Sequence, residues 1–372
     1  MRRIVIDCRM YFSSGIGRYL QNIVLHLLQK TKEYEVILLG NEDSIKKQLV
    51  ASGVLASEIN IINFDVPIYT IKEQLKLPFV IPESDIFWSP HFNIPLLPIK
   101  SKRRIVTIHD AYHLAFLNQL TFKEKIYAKI MYNSALRKSD RVITVSDFSK
   151  KELLKYSNFS KPEKIEVIHN GVAEISLEGN NFHNPEYIPY LLSVGNLKPN
   201  KNFINALLGF SKFLQENRDS NLKFIIIGKK EGFVNGDNRI DDLMNKYSYL
   251  QDKVYFTGHV SDQELAVLYQ NATAFIFPSI YEGFGLPPLE AMLYNVPVLC
   301  SNAASMPEIC GDSVLYFNPI DPDDIARSIV QISTDDILSE ELQKKGKERS
   351  SQFTWELSAK KHFSIIDELF SS

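Results

Sequence analysis

A short apolar run, a turn and an amphipathic helix recur along the chain, and this alternation constrains its fold more than any other feature. Ile4, Val5 and Ile6 read as a buried strand, and Leu20, Ile23, Val24, Leu27 and Leu28 then recur at helical spacing. Strand-like runs follow at 36–39, 59–62, 85–87, 105–108, 142–145 and 165–168, with helical patterns between most of them. Such alternation predicts a parallel sheet covered on both faces. Around 172–188 the rhythm breaks into a polar stretch with Gly179, Asn180, Asn181, Asn184 and Pro185, which reads as a linker. It restarts at 190–194, 224–227, 254–256, 274–277 and 296–299. The reading is α/β, with two doubly wound domains at 1–172 and 189–355 joined by a linker at 173–188. The last helix, 356–372, is expected to cross back onto the first domain. A length of 372 residues supports two cores. Two such domains imply a cleft between the carboxyl ends of their sheets, so functional residues are expected just after strands.

Composition narrows the function. With 45% hydrophobic and 23% charged residues, the chain reads as globular. A net charge of -2 argues against bulk attraction to nucleic acid. Cys8, Cys300 and Cys310 form no CxxC pair, so neither a disulfide framework nor a zinc site is expected, and a reducing, cytoplasmic setting fits. Only Ile4-Val5-Ile6 separates Arg2 and Arg3 from Asp7, too short for the apolar core of a signal peptide. No run approaches the roughly 18–20 apolar residues of a spanning helix. Residues 96–155 hold thirteen Lys/Arg against five Asp/Glu. That local excess, densest at Lys100, Lys102, Arg103 and Arg104 and again at Lys123, Lys125 and Lys129, suits an anionic membrane surface met through residues 100–129, or a phosphate-bearing acceptor. A solvated face is the plain alternative.

Five groups of residues could carry chemistry. Gly15-Ile16-Gly17-Arg18 lies between the first strand and first helix, where glycines admit a phosphate or sugar to backbone N–H groups. It lacks the third glycine of a dinucleotide site. His109-Asp110 follows a strand: His109 is placed to bond a ligand and to titrate near neutrality, and Asp110 to orient it or accept a substrate hydroxyl. His91 and Asn93 follow another strand and are further acceptor candidates. In Gly195-Asn196-Leu197-Lys198-Pro199-Asn200-Lys201, a glycine turn with two lysines before a helix suits a diphosphate. The fourth and longest motif, Glu282-Gly283-Phe284-Gly285-Leu286-Pro287-Pro288-Leu289-Glu290, puts one carboxylate on a loop and another on a helix. Two such groups suit the hydroxyls of two ends of an extended ligand. Asp321-Pro322-Asp323-Asp324 has a spacing that could hold Mg²⁺, but Asp before Pro and further acids is an ordinary helix start, so no metal is expected.

In that fourth motif, with the second Glu eight positions after the first, the sequence resembles the family 4 retaining glycosyltransferases of GT-B architecture. Gly-Ile-Gly-Arg-Tyr-Leu, Ser-Pro-His-Phe-Asn, Thr-Ile-His-Asp, His-Asn-Gly-Val and Phe-Thr-Gly-His-Val carry the resemblance over nearly the whole chain. They are most similar to bacterial mannosyltransferase-type members that build O-antigen and other surface polysaccharides. The resemblance implies two Rossmann-like domains and a nucleotide-sugar donor, GDP-linked or UDP-linked, with no metal or other cofactor. It implies that Glu282 holds sugar hydroxyls with Phe284, Gly285 and Leu286 beside it, that Glu290 holds the ribose, and that Lys201 holds the diphosphate. His259 and Val260 would border the base, Gly15 and Gly17 the phosphates, and His109 the transferred sugar. The acceptor would be a glycan or a polyprenyl-diphosphate-linked sugar at the inner face of the cell membrane. One departure is Asn200, where many relatives carry Arg. A silent glycan-binding subunit and a nucleotide-sugar epimerase of the same fold are the alternatives.

Overall fold

The computed structural model describes residues 2–30, 34–159, 161–175, 188–228 and 239–371. The chain divides into two compact units, residues 1–171 with 354–372, and residues 172–353. Most of the stretch read as a linker, 176–187, lies outside the described residues.

The first unit is built on a parallel sheet ordered β3-β2-β1-β4-β5-β6-β7. Its strands are β1 (Arg2–Asp7), β2 (Tyr34–Gly40), β3 (Asn60–Asn63), β4 (Ser84–Ser89), β5 (Ser101–Ile108), β6 (Arg141–Thr144) and β7 (Ile165–Val167). Between them run α1 (Ser14–Lys30), α2 (Glu42–Ala51), α3 (Ile71–Val80), α4 (Tyr112–Ala115), α5 (Phe122–Lys138) and α6 (Asp147–Tyr156). Local chemistry sets the helix starts: Thr70 caps α3, Ser146 caps α6, and Thr121 with Glu124 forms a capping box on α5. The central strands are buried on both faces, as the continuous apolar runs require.

The second unit holds a parallel sheet ordered β10-β9-β8-β11-β12-β13. Its strands are β8 (Tyr190–Val194), β9 (Lys223–Ile227), β10 (Val254–Gly258), β11 (Ala274–Phe277), β12 (Val298–Ser301) and β13 (Leu315–Phe317). Its helices are α7 (Phe203–Glu216), α8 (Arg239–Lys246), α9 (Asp262–Gln270), α10 (Leu286–Leu293), α11 (Met306–Cys310), α12 (Pro322–Thr334) and α13 (Asp336–Ser350). The last helix, α14 (Trp355–Ser371), belongs to the first unit and packs on α1. Its His362 is fully buried there: Nδ1 donates to Ser358 O at 2.8 Å, so Nε2 accepts from Tyr19 Oη at 2.6 Å.

Three elements differ from the sequence reading. β13 is an unforeseen strand, whose apolar run Leu315-Tyr316-Phe317 is only three residues long and too short to tell a strand from a turn of helix. β12 starts two residues late because Pro297 has no N–H for a ladder, although its carbonyl accepts from Phe275 N. β5 begins at Ser101, so the basic run 102–104 is strand rather than loop. Lys102 there pairs with Asp85 and Arg103 with Asp140, and Arg104 donates to the carbonyls of Pro95 and Leu97. Asp321 is the N-cap of α12, accepting from Asp323 N at 2.9 Å. Cys8, Cys300 and Cys310 are free and buried.

Candidate functional site

Each sheet reverses its strand order once, at β1 beside β4 and at β8 beside β11. Loops leaving adjacent strands in opposite directions open a crevice at such a point.

In the second unit, Gly195 follows β8 and the turn 199–201 then leads into α7. Gly195 N donates to Ile227 O, and a Cβ on Gly195 would lie 3.4 Å from the Lys201 side chain. The lysine can therefore fold back over the turn. Its Nζ lies 2.5 Å from Glu282 Oε1 and 5.5 Å from the centre of the Phe277 ring. Glu282 belongs to the loop after β11, so neighbouring strands deliver the two charges to one place. Both side chains keep about a fifth of their surface open, 20% and 17%. Asn200 is the clamp beneath them: its carbonyl accepts from Ile280 N at 2.9 Å and its Nδ2 donates to Tyr281 O at 3.2 Å. Next to it, Asn202 adopts a left-handed conformation (φ 57°) and donates to the carbonyls of Pro278 and Pro319. Asn200 and Asn202 thus hold the two loops together.

The remaining residues of the Gly-Phe-Gly turn are built for packing as well as exposure of backbone. Phe284 is buried against Phe353. Gly285 has φ 104°, and a Cβ there would meet Met306 Cε at 2.4 Å, so only glycine fits. Ser305 Oγ donates to the carbonyls of Glu282 and Phe284 and holds the loop in shape. Leu286 opens α10. Glu290, one turn on, is buried and accepts from Tyr269 Oη at 3.2 Å, a different partner from that of Glu282. Lys198 is exposed at the start of the 199–201 turn, and His259 (exposed) and Val260 (half-buried) follow β10.

In the first unit a small pocket at the β1/β4 reversal is lined by Asp7, Arg9, Met10, Ser89, His91 and Asn93, among others. Arg9 Nη2 sits 2.5 Å from Asp7 and 2.6 Å from Glu73 of α3, and all three side chains are buried. Glu73 Oε1 also accepts from Asn93 Nδ2 at 2.6 Å, and Oε2 accepts from Tyr69 N at 2.8 Å. Tyr69, at φ 64°, bonds His91 Nε2 through its hydroxyl at 3.0 Å. The Arg9–Glu73 pair therefore fixes the two residues that orient the pocket. Ser89 Oγ is buried with no hydrogen-bond partner among the described residues.

His109 stands behind this pocket, its Nε2 bonded to Pro90 O at 3.0 Å. Since a carbonyl only accepts, Nε2 carries the proton and Nδ1 is left as acceptor. Burial pushes its pKa down to about 4, against the help of that carbonyl, so it does not titrate near neutrality as expected but stays neutral. His91 is likewise pushed well down, by burial and by His109, His113 and Arg9. Asp110 does not orient His109 by a bond at this ring nitrogen; its Oδ1 accepts from Tyr112 N at the start of α4. Gly15 and Gly17 lie inside the first turn of α1, not in the loop before it. A Cβ on Gly17 would strike Tyr11 O at 2.7 Å, whereas Gly15 is open. Sequence reasoning missed Arg9, Glu73, Tyr69 and Ser89. Asp7 and Arg9, charged residues just after the apolar run Ile4-Val5-Ile6, were a visible signal; Glu73 gave none.

Comparison with known proteins decides the family. The profile described as Glycosyltransferase Family 4 matches residues 13–174, and that described as Glycosyl transferases group 1 matches residues 179–349. The chain belongs to the family 4 glycosyltransferases. This glycosyltransferase is 29% identical to O-antigen chain mannosyltransferase B of Escherichia coli over 280 residues, 73% of this chain and 71% of the relative. It is 33% identical to O-antigen chain mannosyltransferase RfbU of Salmonella typhimurium over 231 residues, 62% of this chain and 60% of the relative, and so spans less than two thirds of that protein. Among solved structures, Anabaena HepE in complex with UDP-glucose has the same fold, with a TM-score of 0.77, 16% identity and coverage of 99% of this chain and 100% of that one. Among the described residues no helix of the glycosyltransferase is long and apolar enough to cross a membrane, and no group of three or more His, Cys, Asp or Glu is placed to hold a metal ion.

Proposed function

We propose that this glycosyltransferase moves a hexose, mannose first, from a GDP- or UDP-linked donor to a glycan or polyprenyl-diphosphate-linked acceptor, with retention at the anomeric carbon and without a metal. The observation that carries the proposal is the partly open Lys201–Glu282 pair at the β8/β11 reversal. An arriving donor separates the two charges: Lys201 turns to the diphosphate and Glu282 to paired sugar hydroxyls. The bond from the anomeric carbon to the phosphate oxygen breaks. The acceptor hydroxyl bonds to that carbon on the same face, and its proton passes to the departing phosphate. Lys201 and the first turn of α10 offset the charge that develops on the leaving group. No side chain is needed as a covalent nucleophile.

The other assignments follow from chemistry of position. Glu290 receives the ribose hydroxyls in place of Tyr269, while His259 and Val260 border the base and Lys198 assists at the diphosphate. The first-unit pocket, with Ser89, His91 and Asn93 at its wall and Asp110 near it, receives the acceptor, and Gly15 lets the donor phosphates approach. His109, neutral, offers Nδ1 as an acceptor to the transferred sugar. The names of the two Enterobacterial relatives support mannose and surface polysaccharide; the UDP-glucose held by HepE keeps UDP-sugars in the reading. The reading includes action at the inner face of the cell membrane, where a lipid-linked acceptor would be met.

The test is a thermal-shift and nucleotide-release screen of GDP-, UDP-, ADP- and dTDP-sugars, with and without EDTA. One nucleotide class that raises the melting temperature and is released equally in EDTA is the expected result. No shift and no release with any donor would sink the proposal in favour of a silent subunit.

A further inference from the structure

Two helices cover one face of the first sheet. The parallel register pairs Val5 with Phe87 and Phe87 with Arg104, so Val5, Phe87, Val106 and Ile108 share that face. α3 packs on Val5 and Phe87 through Leu77, and α5 packs on Val106 and Ile108 through Met131 and Ala135. The segment 93–97 lies between the helices. Gln74 of α3 bonds Ile94 O and Leu96 N, and Tyr127 of α5 bonds Asn93.

Both helices are also apolar on the side turned away from the sheet. On α3 the exposed positions Ile71, Leu75 and Phe79 recur at every fourth residue; on α5 Phe122, Ile126 and Ile130 do the same. Leu97, between them, is exposed too. Ile71, Phe79 and Phe122 keep 81%, 79% and 76% of their surface in solvent. A single exposed Leu or Ile is ordinary; two aligned stripes on neighbouring helices are not. Ile337 on α13 is as exposed, at 81%, but Ser333 and Glu341 stand four residues either side of it.

The charges beside the stripes are mostly basic. Lys72 and Lys76 on α3 and Lys123 and Lys129 on α5 are exposed. Each helix has a single acid. Glu73 is buried under Arg9, and Glu124 is engaged at the Thr121 cap. We infer that the α3/α5 face docks the glycosyltransferase on an anionic membrane surface, with the apolar stripes at the acyl boundary and the lysines among the phosphate headgroups. The inference deepens the reading of a lipid-linked acceptor and rests on it for its purpose. It also moves the contact away from the basic run 102–104, whose side chains already have partners in β4, the β5–β6 region and the 95–97 carbonyls.

The test sediments the full chain with vesicles of phosphatidylcholine alone and of phosphatidylcholine with phosphatidylglycerol at roughly 2:1. The chain is expected to bind the anionic vesicles, less as salt rises, and to leave the neutral ones. Phe79→Ser with Phe122→Ser should weaken vesicle binding at least about tenfold, with tryptophan fluorescence unchanged. Lys72→Gln with Lys76→Gln should weaken it at least about fivefold. Failure to sediment with either vesicle overturns the inference, as does equal binding by wild type and both double variants. A vesicle-free dimer that the Phe79→Ser, Phe122→Ser variant dissociates overturns it in favour of a second copy as the occupant. Nucleotide release, assayed without vesicles, reads the transfer chemistry separately: normal release with no sedimentation removes the docking surface and leaves the proposed function standing.

Discussion

The two strand-order reversals hold the same kind of pair, a cation against a carboxylate, in opposite settings. At β1/β4, Arg9 is locked between Asp7 and Glu73, with side chains 3%, 9% and 0% exposed. At β8/β11, Lys201 and Glu282 pair with side chains 20% and 17% exposed. A buried pair cannot exchange partners without stranding a charge, so it holds its neighbours still. A partly open pair keeps its contact with solvent as it separates, so a ligand can take both members. The first reversal is a fixed wall and the second an adjustable grip.

The comparison breaks most sharply at Arg9. Arg9→Met leaves two buried carboxylates facing each other and should destabilise the first unit by about 3–5 kcal/mol. Both tryptophans, Trp88 and Trp355, lie in that unit, so their fluorescence in a denaturant series reports it without the second. A loss under about 1 kcal/mol would show that the triad is not what holds the pocket.

A pH series sharpens the same contrast. Burial, reinforced by His109 and opposed by the Ser358 carbonyl, lowers the His362 pKa from 6.5 to about 4. A ring kept neutral in the fold stabilises it fully above the unfolded value. As pH falls through that value toward 4, the unfolded chain takes the proton first and stability is lost, by roughly 2 kcal/mol at pH 5. Denaturant midpoints read by tryptophan at pH 7.5 and 5 should differ by at least that much, and His362→Gln should shrink the difference by its own share, leaving that of His109, which burial lowers likewise. An unchanged slope in that variant would reassign the effect to other groups, His109 first.

The smallest free-energy change belongs to the open pair. Lys201→Ala and Glu282→Ala should each alter stability by under about 1 kcal/mol, yet each should lower turnover at least about tenfold, near 1.4 kcal/mol in the barrier. Near-normal turnover in both, measured as nucleotide release, would remove the grip from the mechanism.

Most of the architecture was legible because strands buried on both faces must be continuously apolar, as in Ile4-Val5-Ile6 and Phe275-Ile276-Phe277. β13 escaped because its apolar run, Leu315-Tyr316-Phe317, is only three residues long. The basic run 102–104 misled because a strand end that reaches solvent carries charge as a loop does. At the site, the sequence showed charges after strands, but not what each would meet. Asn200 read as a lost cation, whereas its two hydrogen bonds clamp one loop to another. His109 read as a titrating group, whereas burial keeps it neutral.

By itself the sequence determined two parallel sheets, their helices and the caps that start them, since those depend on neighbours within one turn or one strand. Only the tertiary structure decided that Arg9 finds Glu73, 64 residues away, that Lys201 reaches Glu282 across 81, and that Phe79 and Phe122 flank the same segment on one sheet face. Pattern is local, whereas a charge's partner, a histidine's pKa and the company kept by an exposed side chain are set by segments the chain brings together only when it folds.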